Sequence, residues 1–309
     1  MPAIRFFSGA LALAALHLVT ACLRPPAYES RQVAGHMPHA IRESSGIAAS
    51  LRDSRLFWTH NDSGGQPVLY GIEPNGVRRG DLRIAGLRNT DWEDIATFEL
   101  DGRAWILVAD TGDNRGSRKD CALYVVAEPD PAQLAPFEEL TVPVAWKIPV
   151  RYPDGPHDCE AVAVDAKAGL VYLLTKRTKP PVLFTLPLRP DAGAPTPDAM
   201  PVARLNHFPQ PSAVQRMLPI PSGSYRAEPT GMDFARDGSA AVIVTYGDVC
   251  LFSRQPGETW VAALSREPEV LPPHGLSQAE GVAFAPDSRT IYVTSEGADT
   301  AILRYRSEK

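Results

Sequence analysis

The sequence has few cysteines, no surplus of basic residues and no long apolar segment, and each shortage excludes a class of protein. Its four cysteines show no CxxC pair of the kind that binds zinc. Lys and Arg number 31 against 36 Asp and Glu, so the basic stripe of a general nucleic-acid binder is missing. The longest apolar run, residues 6–19, is too short to span a bilayer. No GxSxG motif marks a serine nucleophile.

Proline, in contrast, is abundant. The chain holds 30 prolines among 309 residues, and interior prolines break helices, so a loop-rich, β-rich fold is expected. An apolar content of 44% and a net charge of -5 argue against disorder. We interpret Cys121, Cys159 and Cys250 as isolated buried thiols, with a disulfide between two of them as the alternative.

The first 22 residues have the features of an export signal. Arg5 precedes the apolar run, which ends at Val19-Thr20-Ala21-Cys22. These four residues resemble the bacterial lipobox, which implies cleavage before Cys22 and acylation of its thiol. We therefore predict a signal peptide over 1–21, a lipidated tether over 22–30 and one domain over 31–309. The lipid bilayer is then a partner, the outer membrane is preferred because Leu23 is not the Asp of inner-membrane retention, and an ordinary secretory signal is the alternative.

Five segments of the chain repeat one order of residues. Each has an acidic or amide residue, a spacer, a small or acidic anchor, an apolar run, a turn, a second apolar run and a polar cluster. The anchors are Ser45, Glu93, Glu160, Thr230 and Glu280. Sixteen positions separate four of these anchors from their polar clusters, and 17 separate Glu93 from Asp110.

Repeats of this length with three or four short strands are typical of propeller blades. We predict an all-β chain that forms a single β-propeller with five recognisable blades. Outer strands are expected at 82–87, 142–150, 201–208 and 259–264, and residues 31–38 are expected to complete the last blade and close the ring. A sixth blade within the proline-rich stretch 187–227 is the alternative, and a β-sandwich is the other.

In a blade, the start of the innermost strand and the end of its neighbour lie at the same face. The repeated polar residues occupy those two places, so we expect them to meet at the mouth of the central channel. Crowded carboxylates repel one another unless a cation is present. Hard oxygen ligands in this number suit Ca²⁺, whereas zinc prefers His or Cys. A hydrogen-bonded acid network and an unfilled acidic funnel are the alternatives.

The motifs ESSGI, HNDSG, NTDWED, DTGDN, YPDGPHDCEA, and AEGVAF followed by SEG, resemble those of bacterial exported β-propeller proteins of largely unassigned function. They are more distantly similar to phytase-like and gluconolactonase/paraoxonase propellers, whose channel-mouth acids and amides bind calcium. The resemblance covers about residues 41–305. It implies a metal role for Glu43, Asp62, Asp91, Glu93, Asp110, Asp158, Glu160 and Glu280. Thr230 and Lys176 depart from the acidic pattern.

Two functions of different class follow. In the first, the chain is a non-catalytic, calcium-stabilised binding or scaffold lipoprotein, which we expect to be monomeric and to bind a protein or a small anion. In the second, it is a metal-dependent hydrolase of a phosphoester or lactone. His60, His157 and Lys176 are the candidate catalytic residues, and Arg115 and Arg177 the candidate substrate-binding residues. Each of these side chains also has a structural interpretation, with Lys176 as an internal counter-ion.

Overall fold

A computed structural model describes residues 28, 30–191, 193, 195 and 197–307. The predicted signal peptide, Cys22 and all of the predicted tether except Tyr28 and Ser30 lie outside the described residues. No helix in the described ranges is long and apolar enough to cross a membrane. The first strand, β1 (Arg31–His36), is followed by five repeating units.

Blade one begins with an innermost strand that is buried along its whole length. Its four consecutive antiparallel strands are β2 (Ser44–Ala49), β3 (Phe57–Asn61), β4 (Val68–Ile72) and β5 (Arg78–Ile84). The outer strand therefore starts four residues before the predicted segment 82–87. The shift follows from pairing, because β4 takes its partners from 78–83.

Blade two is interrupted by a strand that joins blade one. It contains β6 (Trp92–Leu100), β7 (Arg103–Asp110) and β8 (Ala122–Ala127). The chain then adds β9 (Glu139–Val142) in parallel to the outer edge of blade one, a pairing that the sequence repeat does not indicate. It returns to complete blade two with β10 (Val144–Pro149), within the predicted segment 142–150.

Blade three is followed by a long connection. Its strands are β11 (Cys159–Asp165), β12 (Leu170–Thr175), β13 (Val182–Pro187) and β14 (Met200–Arg204). Residues 205–228, which we call the excursion, hold a 3-10 turn (Gln215–Met217) and the short helix α1 (Pro221–Ser224). Within the described part of 187–227 the strand is β14 of blade three, so the alternative of a sixth blade is wrong.

Blade four differs from the sequence prediction in its outer strand. Its strands are β15 (Pro229–Phe234), β16 (Ala240–Thr245), β17 (Val249–Ser253) and a two-residue outer strand, β18 (Glu269–Val270). The predicted outer strand 259–264 is instead the helix α2 (Trp260–Leu264), capped by the Thr259 side chain. The apolar residues of this segment recur at helical spacing, and Trp260, Ala263 and Leu264 are buried against blades three and four.

Blade five joins the two ends of the chain. It contains β19 (Ala279–Phe284), β20 (Ile291–Ser295) and β21 (Ala301–Tyr305), and β1 pairs antiparallel with β21 as its outermost strand. The predicted N-terminal closure is therefore confirmed. Across the described ranges the sheets number five, as predicted for the propeller.

The apolar core lies between the blades. Each apolar cluster in the described residues combines side chains from two neighbouring sheets, as Trp58 of blade one and Ile106 of blade two illustrate. Cys121, Cys159 and Cys250 are buried free thiols, as predicted. Every blade therefore depends on its neighbours for burial of its faces.

Candidate functional site at the channel mouth

The start of every innermost strand lies at one end of the propeller, which we call the mouth face. Each second strand runs antiparallel to the innermost one, so its last residue returns to this face, as Ser44 opposite Asn61 and Trp92 opposite Asp110 show. The turns between these two strands lie at the opposite face. The repeated polar positions of the sequence therefore share one end of the molecule.

A β-bulge re-aims the anchor side chain in each blade. Pairing with the second strand skips one residue at the start of four innermost strands, and in blade five it skips Glu280 and Gly281. The residues at these irregularities are Ser45, Glu93, Glu160, Thr230 and Glu280. A bulge places an extra residue outside the regular pairing and turns its side chain. The anchor of the sequence repeat is thus a conformational position as well as a chemical one.

Below the anchors, a small residue in four of the five blades lets the innermost strands approach the axis closely. The residue after the anchor is Gly46, Asp94, Ala161, Gly231 or Gly281. Asp94 is fully buried, and its carboxylate accepts N–H groups of Ile95 (2.8 Å), Val162 of blade three (2.8 Å) and Met232 of blade four (3.2 Å). This carboxylate therefore ties three blades together beneath the acidic mouth, a role that sequence reasoning missed.

Three carboxylates of blades one and two form an acidic group that contains no ion pair. Oxygen atoms of Asp62, Asp91 and Glu93 all lie within 4.8 Å of one another. None of the ion pairs in the described residues involves these three side chains, and Oδ1 of Asp62 is buried without a hydrogen-bond partner there. Burial, then the charges of Asp91 and Glu296, raise the pKa of Asp62 to about 7. Burial also raises the pKa of Asp91, and that of Glu93 well above its ordinary value.

A second group shares Glu93 but already has cations. Oxygens of Glu93, Asp158 and Glu160 lie within 4.8 Å of one another. Lys176 forms a hydrogen-bonded ion pair with Glu160, and Arg177 donates to Asp158 at 2.7 Å. Because two of its three carboxylates are paired with cations, this group has less need of a metal ion than the first one.

Lys176 lies deep inside this second group. It is 4% exposed, and its ammonium lies 4.7 Å from the centre of the Tyr246 ring. Burial lowers its pKa, but Glu160, then Glu280, outweigh burial and leave the pKa well above the ordinary value. Glu280 is buried with Oε2 unpartnered in the described residues, and burial raises its pKa. The position fits the counter-ion interpretation of Lys176.

Asp110 is held by a residue that the sequence repeat did not indicate. Arg118, on the loop after β7, donates to its carboxylate at 2.7 Å and to the carbonyl of Gly112 at 2.8 Å. Gly112 is the other omission, because a Cβ at this residue would overlap Oε1 of Glu93. A glycine directly after Asp110-Thr111, where side chains converge, is the signal that was available.

Two of the remaining predicted residues, Glu43 and Arg115, lie outside the acidic groups. Glu43 is exposed, and its backbone bridges that of Glu296. Arg115 is exposed on the loop after β7, and Arg177 contacts Asn114 in addition to Asp158. The structure thus gathers Asp62, Asp91, Glu93, Asp158, Glu160, Lys176 and Arg177.

The two candidate histidines differ in access. His60 is fully buried beside the Trp92 ring, and burial lowers its pKa to about 4. His157 is partly exposed, with Nε2 at 2.8 Å from Asp154 and its ring against Tyr152 and Phe184. Of the two, His157 has the access to solvent that a general base requires.

Comparison with known proteins finds similar solved structures only at low identity. No protein-family model matches the sequence, and no curated protein does. One similar solved structure is a nidogen/laminin complex, at 15% identity with a TM-score of 0.40, covering 82% of this chain and 72% of that one. Another is a putative 6-phosphogluconolactonase from Bacteroides uniformis, at 13% identity with a TM-score of 0.39, covering 82% of this chain and 64% of that one. The chain therefore spans less than two thirds of the second protein.

Proposed function

We propose that this protein is a lipid-anchored propeller of the bacterial envelope that holds a divalent cation, calcium, at its mouth and acts as a binding or scaffold protein. The observation that carries the proposal is the group of Asp62, Asp91 and Glu93, which are close together and form no ion pair in the described chain. Neighbouring acids on the same face do have one, as Asp110 has Arg118. The group also offers oxygen atoms alone, which calcium prefers.

The fit of calcium is supported by the orphaned oxygen of Asp62. A buried carboxylate oxygen without a donor costs free energy, and a bound cation removes that cost. Gly112 supports the same assignment, because it leaves room for the carboxylates beside it. We assign the cation to Asp62, Asp91 and Glu93 rather than to all eight acids predicted from the sequence.

Calcium titration of the full chain in mild detergent tests the site. We expect thermal unfolding to shift upwards with Ca²⁺ and back with EGTA, since a ligand of the folded state stabilises it. Asp62→Asn or Asp91→Asn should weaken calcium binding about tenfold or more, by loss of a charged ligand. Gly112→Ala should weaken it without changing the net charge.

The matched control is Asp120→Asn, which removes an exposed acid of the same face that pairs with Arg118. It should leave calcium affinity within about twofold, because an exposed charge is screened. An unchanged melting temperature and no heat of binding in wild-type protein would rule out the cation site.

The hydrolase remains the second candidate, and His157 is the residue that favours it. His157 is partly exposed and held by Asp154, as a base acting on water requires. A screen of phosphomonoesters and lactones separates the two functions. Turnover that disappears in folded Asp91→Asn and His157→Ala proteins would identify the enzyme, whereas calcium binding without turnover supports the scaffold.

The lipid anchor is tested separately. Labelling with radioactive palmitate should mark the wild-type chain in bacterial cells but not Cys22→Ala, since the thiol is the predicted acylation site. Equal labelling of the two proteins would contradict anchoring through Cys22 and would leave the calcium experiment unaffected.

A further inference from the structure

A cleft of about 400 Å³ opens on the mouth face beside the acidic cluster. One wall is the loop after β12, with Lys179, Pro180 and Pro181, and the other is the excursion, with Arg216 and Tyr225. This volume falls within the range of pockets that bind small molecules. The cleft is thus large enough for a ligand.

The excursion that forms one wall is longer than the fold requires. Both β14, which precedes it, and β15, which follows it, have their connected ends at the mouth face. Connections of about 4 to 6 residues are usual between such strands, and long ones are often functional. Residues 205–228 are therefore longer than a connection between the two blades requires.

Three cationic side chains line this cleft, and two of them, Lys179 and Arg216, are not bound to the acidic groups, whereas Lys176 pairs with Glu160. The Lys179 side chain is 73% exposed, with its ammonium 3.7 Å from Glu228. Arg216 uses one guanidinium N–H for the carbonyl of Pro211, at 2.6 Å. A guanidinium has five N–H donors, so this bond leaves it able to hold an anionic group.

Glu228, in contrast, is an acidic side chain of the cleft that lacks a hydrogen-bond donor. It lines the cleft and is 5% exposed, and its Oε2 has no hydrogen-bond partner among the described residues. A buried carboxylate oxygen is costly without a donor. A hydroxyl or ammonium group in the cleft would satisfy it.

We propose that the cleft binds a small organic anion that also carries a hydroxyl or ammonium group. The anionic group pairs with Lys179 and Arg216, and the donor pairs with Glu228. Pro180, Pro181 and Leu205 provide apolar contact for the carbon atoms between the two ends. This site does not include Asp62, Asp91 or Glu93, borders the second acidic group through Lys176, and requires no metal.

Binding of defined probes to the full chain in EGTA tests the inference. Glycerol 3-phosphate carries both an anion and hydroxyl groups, methyl phosphate carries the anion alone, and glycerol carries hydroxyl groups alone. We expect glycerol 3-phosphate to bind at least about tenfold more tightly than either of the others, as expected for one added charged hydrogen bond. Phosphoethanolamine, compared in the same way, distinguishes an ammonium donor from a hydroxyl donor.

Two variants assign the contacts. Arg216→Gln should weaken glycerol 3-phosphate and methyl phosphate alike by about tenfold, whereas Arg88→Gln, an exposed arginine of the same face outside the cleft, should weaken neither. Glu228→Gln should reduce the advantage of glycerol 3-phosphate over methyl phosphate while methyl phosphate binding is kept, which also shows that the variant is folded.

Three results would overturn the inference. They are equal affinity of glycerol 3-phosphate, phosphoethanolamine and methyl phosphate, binding that survives Arg216→Gln unchanged, and binding that appears only with calcium. The last result would place the ligand at the acidic group instead. Failure of the calcium site would leave these measurements intact, so the two proposals are tested independently.

Discussion

Lys176 is the residue on which the charge balance of the mouth depends. Its ammonium is buried among Glu160, Glu280 and Tyr246, where water cannot screen the carboxylates. The sequence placed Lys176 in a repeat position at which an acid is expected, and allowed both a catalytic and a counter-ion interpretation. Its burial and its bond to Glu160 favour the second one.

We expect Lys176→Met to lower the free energy of unfolding by about 3 to 5 kcal/mol, because it leaves a buried carboxylate without its partner. Urea denaturation in EGTA measures the change. Lys119→Met removes an exposed ammonium of the mouth face and should cost less than about 1 kcal/mol. Adding Glu160→Gln to Lys176→Met should restore part of the loss, and a loss that Glu160→Gln does not reduce would contradict the counter-ion role.

For individual residues, the sequence predicted the chemical type of the site better than it predicted which residues form the site. It indicated an acidic mouth with hard oxygen atoms, and Asp62, Asp91, Glu93, Asp158 and Glu160 are grouped there. It could not show that Arg118 pairs with Asp110, because that ion pair depends on the path of an irregular loop. It also could not show that His60 turns away from solvent, which depends on packing against Trp92.

Among the elements, the innermost strands of four blades combine a bulge with a small residue, and blade two has Asp94 at that position. The bulge directs the anchor side chain towards the mouth, and the small residue that follows allows the strands to converge. In blade one, a Cβ on Gly46 would lie 2.9 Å from Cα of Asp94 in blade two. The backbones themselves are in contact there, so the strands have no side chain to repack.

Gly46→Ala should therefore destabilise the protein by about 1 to 3 kcal/mol through overpacking. Urea denaturation at neutral pH provides the measurement. The matched control in the same blade is Gly65→Ala, whose Cβ would lie 3.8 Å from its nearest neighbour, Nδ2 of Asn89. The two variants should differ clearly, and equal stability would mean that the strands at the axis can move apart.

Strands that carry the repeated motif could be predicted from the sequence, and elements that lack it could not. Innermost strands carry a motif, so their positions were correct in all five blades. Outer strands carry none, and 259–264 became the helix α2 because its apolar residues meet the space between two blades. Strand β9 joins a blade other than its own, which short-range sequence cannot indicate.

The molecule as a whole has two unlike ends. Tyr28 donates a hydrogen bond to the carbonyl of Arg289, in the turn between β19 and β20, and packs near Ala235 of blade four. Both contacts lie at the face opposite the mouth. Five residues separate Tyr28 from Cys22 and reach at most about 20 Å. A lipid on Cys22 would thus hold the opposite face near the bilayer and leave the mouth facing away from it.

This orientation is measurable in liposomes that carry the lipidated chain. Lys167→Cys places a fluorophore on the opposite face, and Lys119→Cys places one on the mouth face, both at exposed positions. The three thiols of the propeller are buried and should react slowly. A quencher in the bilayer should dim the dye at residue 167 more than the dye at residue 119. Stronger quenching at residue 119 would reverse the orientation.

By itself, the sequence determined the propeller, the five blades, their closure by the N-terminal strand and the acidic character of one face. It did so because these features recur at constant spacing, and a repeat specifies neighbours without knowledge of distant contacts. Tertiary structure decided which acids have cations, which histidine is reachable, and how the excursion and the loop after β12 form a cleft. Those properties depend on burial and on side chains from different blades, which are adjacent only after the ring has closed.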